Sequence, residues 1–194
     1  MRISKKNRTT KETTISINLN IDGSRKINID TQLKFFDHML EQLAFHSNWD
    51  LDIRATGDID VDDHHLIEDI AILLGECLNE LRLKKKNLMR YGQRLLPMDS
   101  TLILCALDLD GRGECVIDLP FSREFIGKIA TEMWKHFFKS LSSNGNFSLH
   151  IKTLYFDNNH HLVEGSFKSL ALALKEAFTL NNSEKILSTK GEIC

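Results

Sequence analysis

Two short stretches carry residue types that can do chemistry together: His64-His65-x-x-Glu68 and His160-His161-x-x-Glu164. On a helix of about 3.6 residues per turn, successive side chains diverge by about 100°, so each glutamate falls between its two histidines. Each stretch therefore presents two imidazoles and a carboxylate on one face, at the start of a predicted helix. Imidazole plus carboxylate, without thiolate, suits a divalent ion such as Mn, Fe or Zn. The order differs from His-Glu-x-x-His, so zinc-peptidase chemistry is not implied. A single histidine near a helix start is ordinarily a solvated or capping residue. Here the same five-residue pattern occurs twice, 96 positions apart, and six of the sixteen residues from 63–78 recur without a gap in 159–174.

Other histidines are less clear from spacing. His38 and His136 each lie on the first predicted helix of a half, but they do not align at an offset of 96, so they read equally as ligands or as ordinary helical residues. His46 and His150 have no partner pattern and read as structural. Asp62, Asp63 and Asp69 surround the first motif, and Asp157, Asn158 and Asn159 precede the second. Such groups either orient imidazoles through the free N–H or serve as turn residues.

The elements that must hold these residues follow from periodicity. Ile15, Ile17, Leu19 and Ile21 alternate as in a half-buried strand, and Ile27 and Ile29 continue past Asp22-Gly23, which predicts a hairpin. Thr31 is the expected N-cap of a helix through Leu33, Phe36, Leu40 and Leu43. A strand over 48–57 and a helix from Asp63 to about Lys84 complete the half. The second half repeats the order: a hairpin over 102–119 turning at Asp110-Gly111, a helix over 124–142 broken near Gly127, a strand over 146–154 and a helix over 160–178. Sliding by 96 also sets Asn48 on Asn144. The fold class is α+β: a duplicated half-domain, strand-strand-helix-strand-helix twice, with helices packed between or against two mixed sheets. One domain, 1–194, is expected, with halves at about 12–84 and 102–179, a basic connector over 85–101 and a C-terminal tail.

Composition bounds the partners. The 194 residues carry 25 Lys+Arg against 27 Asp+Glu, net −2, with 42% apolar residues. That balance excludes a disordered chain and lacks the basic footprint of a nucleic-acid binder. Cys77, Cys105, Cys115 and Cys194 are too far apart for a zinc or redox motif, and the first three sit among apolar residues as reduced core. Residues 1–14 are polar and basic, unlike a secretory signal, and nothing approaches the roughly 18 apolar residues of a membrane span. A cytoplasmic protein with neither nucleic-acid nor membrane partner is expected.

At this point the residues resemble one family closely, the imidazoleglycerol-phosphate dehydratases of histidine biosynthesis. The matching segments are Phe36-Asp37-His38-Met39-Leu40, Val61 through Asp69, Arg90-Tyr91-Gly92, Pro97-Met98-Asp99, Asp110-Gly111-Arg112, His136-Phe137-Phe138, Asn159 through Glu164, Phe167-Lys168 and Ser188-Thr189-Lys190-Gly191. They run in family order from about residue 12 to the C-terminus. The resemblance implies two Mn²⁺ ions per active site, held by His38, His64, His65, Glu68, His136, His160, His161 and Glu164. It implies that Glu12, Gln42, Arg90, Arg112, Lys168, Ser188 and Lys190 contact a phosphorylated small-molecule substrate, the last of these in a substrate-binding tail. It also implies a large homo-oligomer with metal sites completed across subunit contacts.

The implied reaction is loss of water from imidazole glycerol phosphate, giving imidazole acetol phosphate. The proton removed is not α to a carbonyl, so the imidazole ring must push out the adjacent hydroxyl while a carboxylate takes the neighbouring C–H proton, with metal as Lewis acid and template. Glu12 is the candidate base, and His64, His65, Glu68, His160, His161 and Glu164 are catalytic through the metals. The chain departs from the family at Ser100, Asp110 and Gly113, beside the expected phosphate-binding arginines. Two rival readings stand beside this one. Residues 104–112 resemble the nucleophile loop of haloacid-dehalogenase-type phosphatases, with Asp108 as nucleophile, although Arg112 stands where Thr or Val belongs. The ligand set also fits a non-catalytic metal-binding scaffold.

Overall fold

The computed structural model describes residues 1–181 together with Leu187 and Ser188. Its elements run β1 (Ile3–Thr9), β2 (Thr13–Asn20), β3 (Ile27–Asp30), α1 (Lys34–Ser47), β4 (Asp50–Gly57) and α2 (His64–Leu83) in the first half. The second half runs β5 (Tyr91–Met98), β6 (Thr101–Asp108), β7 (Cys115–Asp118), β8 (Phe125–Ile126), β9 (Ile129–Ala130), α3 (Glu132–Gly145), β10 (Ser148–Tyr155) and α4 (Asn159–Ala177). Two four-stranded mixed sheets result, in the orders β1-β2-β4-β3 and β5-β6-β10-β7. The α+β class and the duplication both hold.

The hairpins differ from those expected. β2 and β3 do not pair with each other; β4 lies between them, antiparallel to β2 and parallel to β3. A parallel pair needs a long crossover, which α1 supplies. The Asp50 carboxylate accepts hydrogen bonds from the backbone N–H of Ser24 and Lys26, holding the 21–26 loop around the end of β4. β10 separates β6 from β7 in the same way. The long hairpins are β1–β2 and β5–β6, built on the polar N-terminus and on the stretch whose composition predicts a basic connector. Alternation is hidden there because the helix-facing positions are Ser4, Lys6 and Arg8 in β1, which meets Glu76, Glu80 and Asp69 of α2, and Gly92 and Arg94 in β5, rather than large aliphatics.

Smaller corrections follow. Leu33, not Thr31, caps α1, without a side-chain bond; Asp37 instead turns back to accept from the Thr31 backbone and hydroxyl at 2.8 and 2.7 Å. The segment from Glu124 is not helical until Glu132, because β8 and β9 form a small hairpin whose Gly127 takes φ +63. The two halves also align by more than one offset: 88 from Ile27 to Cys115, 98 from Lys34 to Glu132, and 96 from His64 to His160. Asn48 therefore matches Asn146, not Asn144. Both are left-handed C-caps, with φ 62 and 49.

The helices lie between the sheets. β2 and β4 bury Ile15, Ile17, Leu19, Leu51, Ile53 and Ala55 inward, and β6 and β10 bury Ile103, Cys105, Leu107, Leu149 and Ile151. α2 packs on β1 and β2, α4 packs on β5 and β6, and the helices meet as the pairs α1/α4 and α2/α3. Each pair joins one half to the other. Phe36 of α1, Phe137 of α3 and Phe167 of α4 form a buried aromatic junction, with Phe137 stacked on Phe167 at 5.1 Å. Cys77, Cys105 and Cys115 are free thiols, the first two fully buried; Cys194 lies outside the described residues.

Gly92 marks the tightest approach of helix to sheet, since a Cβ there would sit 1.9 Å from the Ala173 carbonyl oxygen of α4. Backbone cannot yield as a side-chain tip can. Gly92→Ala is expected to cost about 3 kcal/mol, read as a lower urea midpoint at unchanged slope.

Candidate metal centres

The helix pairing brings the histidines and glutamates into two clusters. His64 and Glu68 of α2 meet His136 of α3; His160 and Glu164 of α4 meet His38 of α1. Each cluster thus takes a His/Glu pair from one half and a lone histidine from the other. The offset of 98 that relates α1 to α3 also relates His38 to His136, a match concealed by the ungapped 96. Nε2 of His64 lies 3.5 Å and Nε2 of His136 3.0 Å from the Glu68 carboxylate. In the other cluster the Glu164 carboxylate is 2.9 Å from His160 Nε2 and 3.7 Å from His38 Nε2. Ligands about 2.1 Å from an ion stand roughly 3–4 Å apart, so these spacings fit a divalent cation. A further observation favours one: His136 Nε2 is buried and makes no hydrogen bond, although Glu68 Oε1 is 3.0 Å away. The ring N–H direction misses the oxygen, and an ion between them would serve both.

His65 and His161 stand apart from both clusters. Their rings are edge-on to their sequence neighbours at 6.1 Å. The His65 Nδ1 faces Asp58 at 3.1 Å, and the His161 Nδ1 faces Asp157 at 3.1 Å and the Asn158 amide at 2.9 Å. The Asp58 hydrogen bond raises the basicity of His65. Asp157 is held down to about 2, chiefly by the Thr101 hydroxyl. Asp58 escaped the sequence reading because it precedes the motif by a whole loop. Asp63 caps α2 and Asn159 opens α4, and both have another task. They bind the insertion of the second half, Asp63 accepting from Ala130 N–H at 2.9 Å and Asn159 from Ser122 N–H at 2.9 Å.

The expected substrate residues fall into two groups. Gln42 lies one turn after His38 on α1, and Lys168 sits one turn after Glu164 on α4 with its ammonium 2.7 Å from that carboxylate. Burial alone would raise the Glu164 pKa, but Lys168 and His160 outweigh it and the group is held low. Glu12 occupies the β1–β2 turn, 4.0 Å from His65 Nε2. Arg90, Arg112 and Ser188 are elsewhere. The Ser148–Asp108 pairing puts Arg90 and Arg112 at the end of the second sheet where β10 begins, and α4 starts beyond the other end, about 24 Å away along the strand. Within one chain these basic residues do not gather around the metal clusters. Lys190 lies outside the described residues.

Both arginines are already paired. Arg90 grips Asp108 through two nitrogens at 2.7 and 3.0 Å and donates to the Leu187 carbonyl. Arg112 pairs with Asp110 at 2.9 Å, and Asp110 also accepts from Ser148. With Asp108 locked in this way, and β6 unpaired with β7, the residues 104–112 form neither a phosphatase nucleophile loop nor a hairpin turn. Gly113 has φ +78, which proline cannot adopt, so its departure from the family suits the local backbone.

Fold and site together define a duplicated α+β protein with paired His₂Glu centres, each built across its two halves. The family model for imidazoleglycerol-phosphate dehydratase matches residues 31–174. Enzymes of that description from Clostridium acetobutylicum and Chlorobaculum tepidum are 43% and 45% identical over 187 and 192 residues, covering 96% and 99% of this chain and 95% and 98% of theirs. The crystal structure of the Staphylococcus aureus enzyme superposes with a TM-score of 0.85 at 35% identity, covering 92% of this chain and 99% of that one. The Pyrococcus furiosus structure, in complex with (S)-C348, gives 0.83 at 37% identity, covering 96% and 99%. The chain belongs to the imidazoleglycerol-phosphate dehydratase family, and is accordingly a hydro-lyase of histidine biosynthesis. No described helix is long and apolar enough to cross a membrane.

Asp63 offers a test of how the α2 start is held. Burial, then the neighbouring Asp62, push its carboxyl up to about 6 from an ordinary 3.8. A carboxyl raised on folding contributes stability below about pH 4 that is lost as pH rises through 6. In the metal-free protein, Asp63→Asn is expected to keep the Ala130 contact and to flatten that fall, by about 2 kcal/mol or less between pH 4 and 6. Paired denaturant melts of the two proteins across that range measure the difference.

Proposed function

We propose that the chain catalyses the Mn²⁺-dependent dehydration of imidazole glycerol phosphate to imidazole acetol phosphate. The pair of His₂Glu clusters carries this reading, because their donor set and spacing suit two divalent ions and their residues are those of the family pattern. The ions, when bound, supply Lewis-acid polarisation of the substrate's imidazole and hydroxyl. His38, His160 and Glu164 would hold one, and His64, Glu68 and His136 the other. Glu12 takes the C–H proton as the adjacent hydroxyl leaves, and the enol so formed tautomerises to the ketone. Gln42 and Lys168, one helical turn from the His38 cluster, orient the substrate.

The reading requires more than one chain. His65 and His161 face away from their own clusters, and Arg90, Arg112 and Ser188 lie at the far end of the sheet. A homo-oligomer in which these groups complete a neighbour's site accounts for both facts. Arg90, Arg112, Ser188 and Lys190 then bind the phosphate, for which guanidinium and ammonium groups are the natural partners. Catalysis in the cytoplasm suits a phosphorylated biosynthetic intermediate.

Chelation should abolish formation of imidazole acetol phosphate by the purified chain, and Mn²⁺ should restore it. Metal binding with no product would favour the scaffold, and release of inorganic phosphate the hydrolase. Glu12→Gln is expected to lower kcat at least about 10²-fold with metal content unchanged; near-normal turnover removes Glu12 as base. Light scattering should show a larger assembly with Mn²⁺ than after chelation, and equal sizes would separate metal binding from assembly.

A further inference from the structure

Asp58 belongs to neither cluster, yet it touches both Glu12 and His65. It follows β4 directly. Its backbone N–H donates to the Glu12 carbonyl at 3.2 Å, and its two carboxylate oxygens lie 3.2 and 3.1 Å from His65 Nδ1. A carboxylate only accepts hydrogen bonds, so Nδ1 must carry the proton, and the neutral ring then keeps its lone pair on Nε2. That atom faces Glu12 Oε1 at 4.0 Å, beyond hydrogen-bond reach. His161 is held differently. Its Nδ1 meets both an acceptor, Asp157 at 3.1 Å, and the Asn158 Nδ2 at 2.9 Å, a donor also engaged with Asp157. Among the described residues, the Asp58 carboxylate is the partner of the His65 Nδ1, and the duplication supplies the contrast.

We propose that Asp58 is a positioning residue that fixes His65 in its Nδ1-protonated tautomer, with Nε2 turned outward as a ready metal donor. The proposal rests on the reading of His65 as a ligand in a neighbour's centre. A carboxylate behind an imidazole both selects the ligating nitrogen and locks the ring plane, and losing such a partner typically weakens metal binding 10–100-fold. Because Asp58 also holds the Glu12 carbonyl, the same residue sets the spacing between the candidate base and the His65 ring.

The test uses the full chain with ¹⁵N-labelled histidine. Long-range ¹H–¹⁵N spectra of the metal-free protein read the tautomer, with His65 assigned by its loss in His65→Ala. Titration calorimetry reads Mn²⁺ affinity. In the wild type His65 should be protonated at Nδ1. Asp58→Asn, whose amide oxygen still accepts, should keep that tautomer with a smaller loss of affinity. Asp58→Ala should give a tautomer mixture and a Mn²⁺ dissociation constant raised about 10–100-fold. A wild-type ring protonated at Nε2 overturns the proposal whatever the variants do. So does Asp58→Ala binding Mn²⁺ as the wild type does while His65→Ala binds it weakly. If His65→Ala itself binds Mn²⁺ as tightly as the wild type, the ligand reading fails instead.

Discussion

The packing of α1 on α4 and of α2 on α3 is the constraint on which the rest depends. Each helix is apolar on the side facing its own sheet, and each still has a second side to cover. Facing the two sheets across a shared helical layer buries those second sides against the other half, with Phe36, Phe137 and Phe167 as the aromatic junction. Once the helices pair across the duplication, His136 must approach Glu68 and His38 must approach Glu164. The two His₂Glu clusters are thus a consequence of how two copies of one half-domain share a core.

Neither half can make a centre alone. The His-His-x-x-Glu motif provides one cluster histidine and the glutamate, and the third donor always comes from the opposite half. The remaining histidine of each motif is turned away from its cluster, about 100° around the helix. The sandwich therefore produces triads that span the two halves, and single donors that stand apart from them, from the same five residues.

Asymmetry between the halves is informative as well. The insertion that forms β8 and β9 has no counterpart in the first half, and it binds Asp63 and Asn159 at the starts of both motif helices. It acts as a brace across the two clusters. Gln42 and Lys168 extend only the cluster built on α1 and α4. The positions that match them on α2 and α3 are Ser140 and Ile72.

Much of this protein was determined locally and so could be read from the sequence. The motif helices, the strands with strict alternation, the α+β class and the duplication all depend on residues close in the chain, through helical and strand periodicity. His64, Glu68, His160 and Glu164 were legible because one helix carries each pair. What the tertiary structure alone decided is everything that depends on contacts between distant segments. It set β4 between β2 and β3, and it made strands of residues 3–9 and 91–98, whose helix-facing sides carry Ser4, Lys6, Arg8, Gly92 and Arg94 in place of the aliphatics that would show alternation. It also joined His38 and His136 to opposite halves, across changes in repeat offset that no local pattern reveals. Turn residues such as Asp22-Gly23 specify only that the chain reverses. Which strand fills the vacant place beside it is settled by the crossover helix and the core that helix must cover.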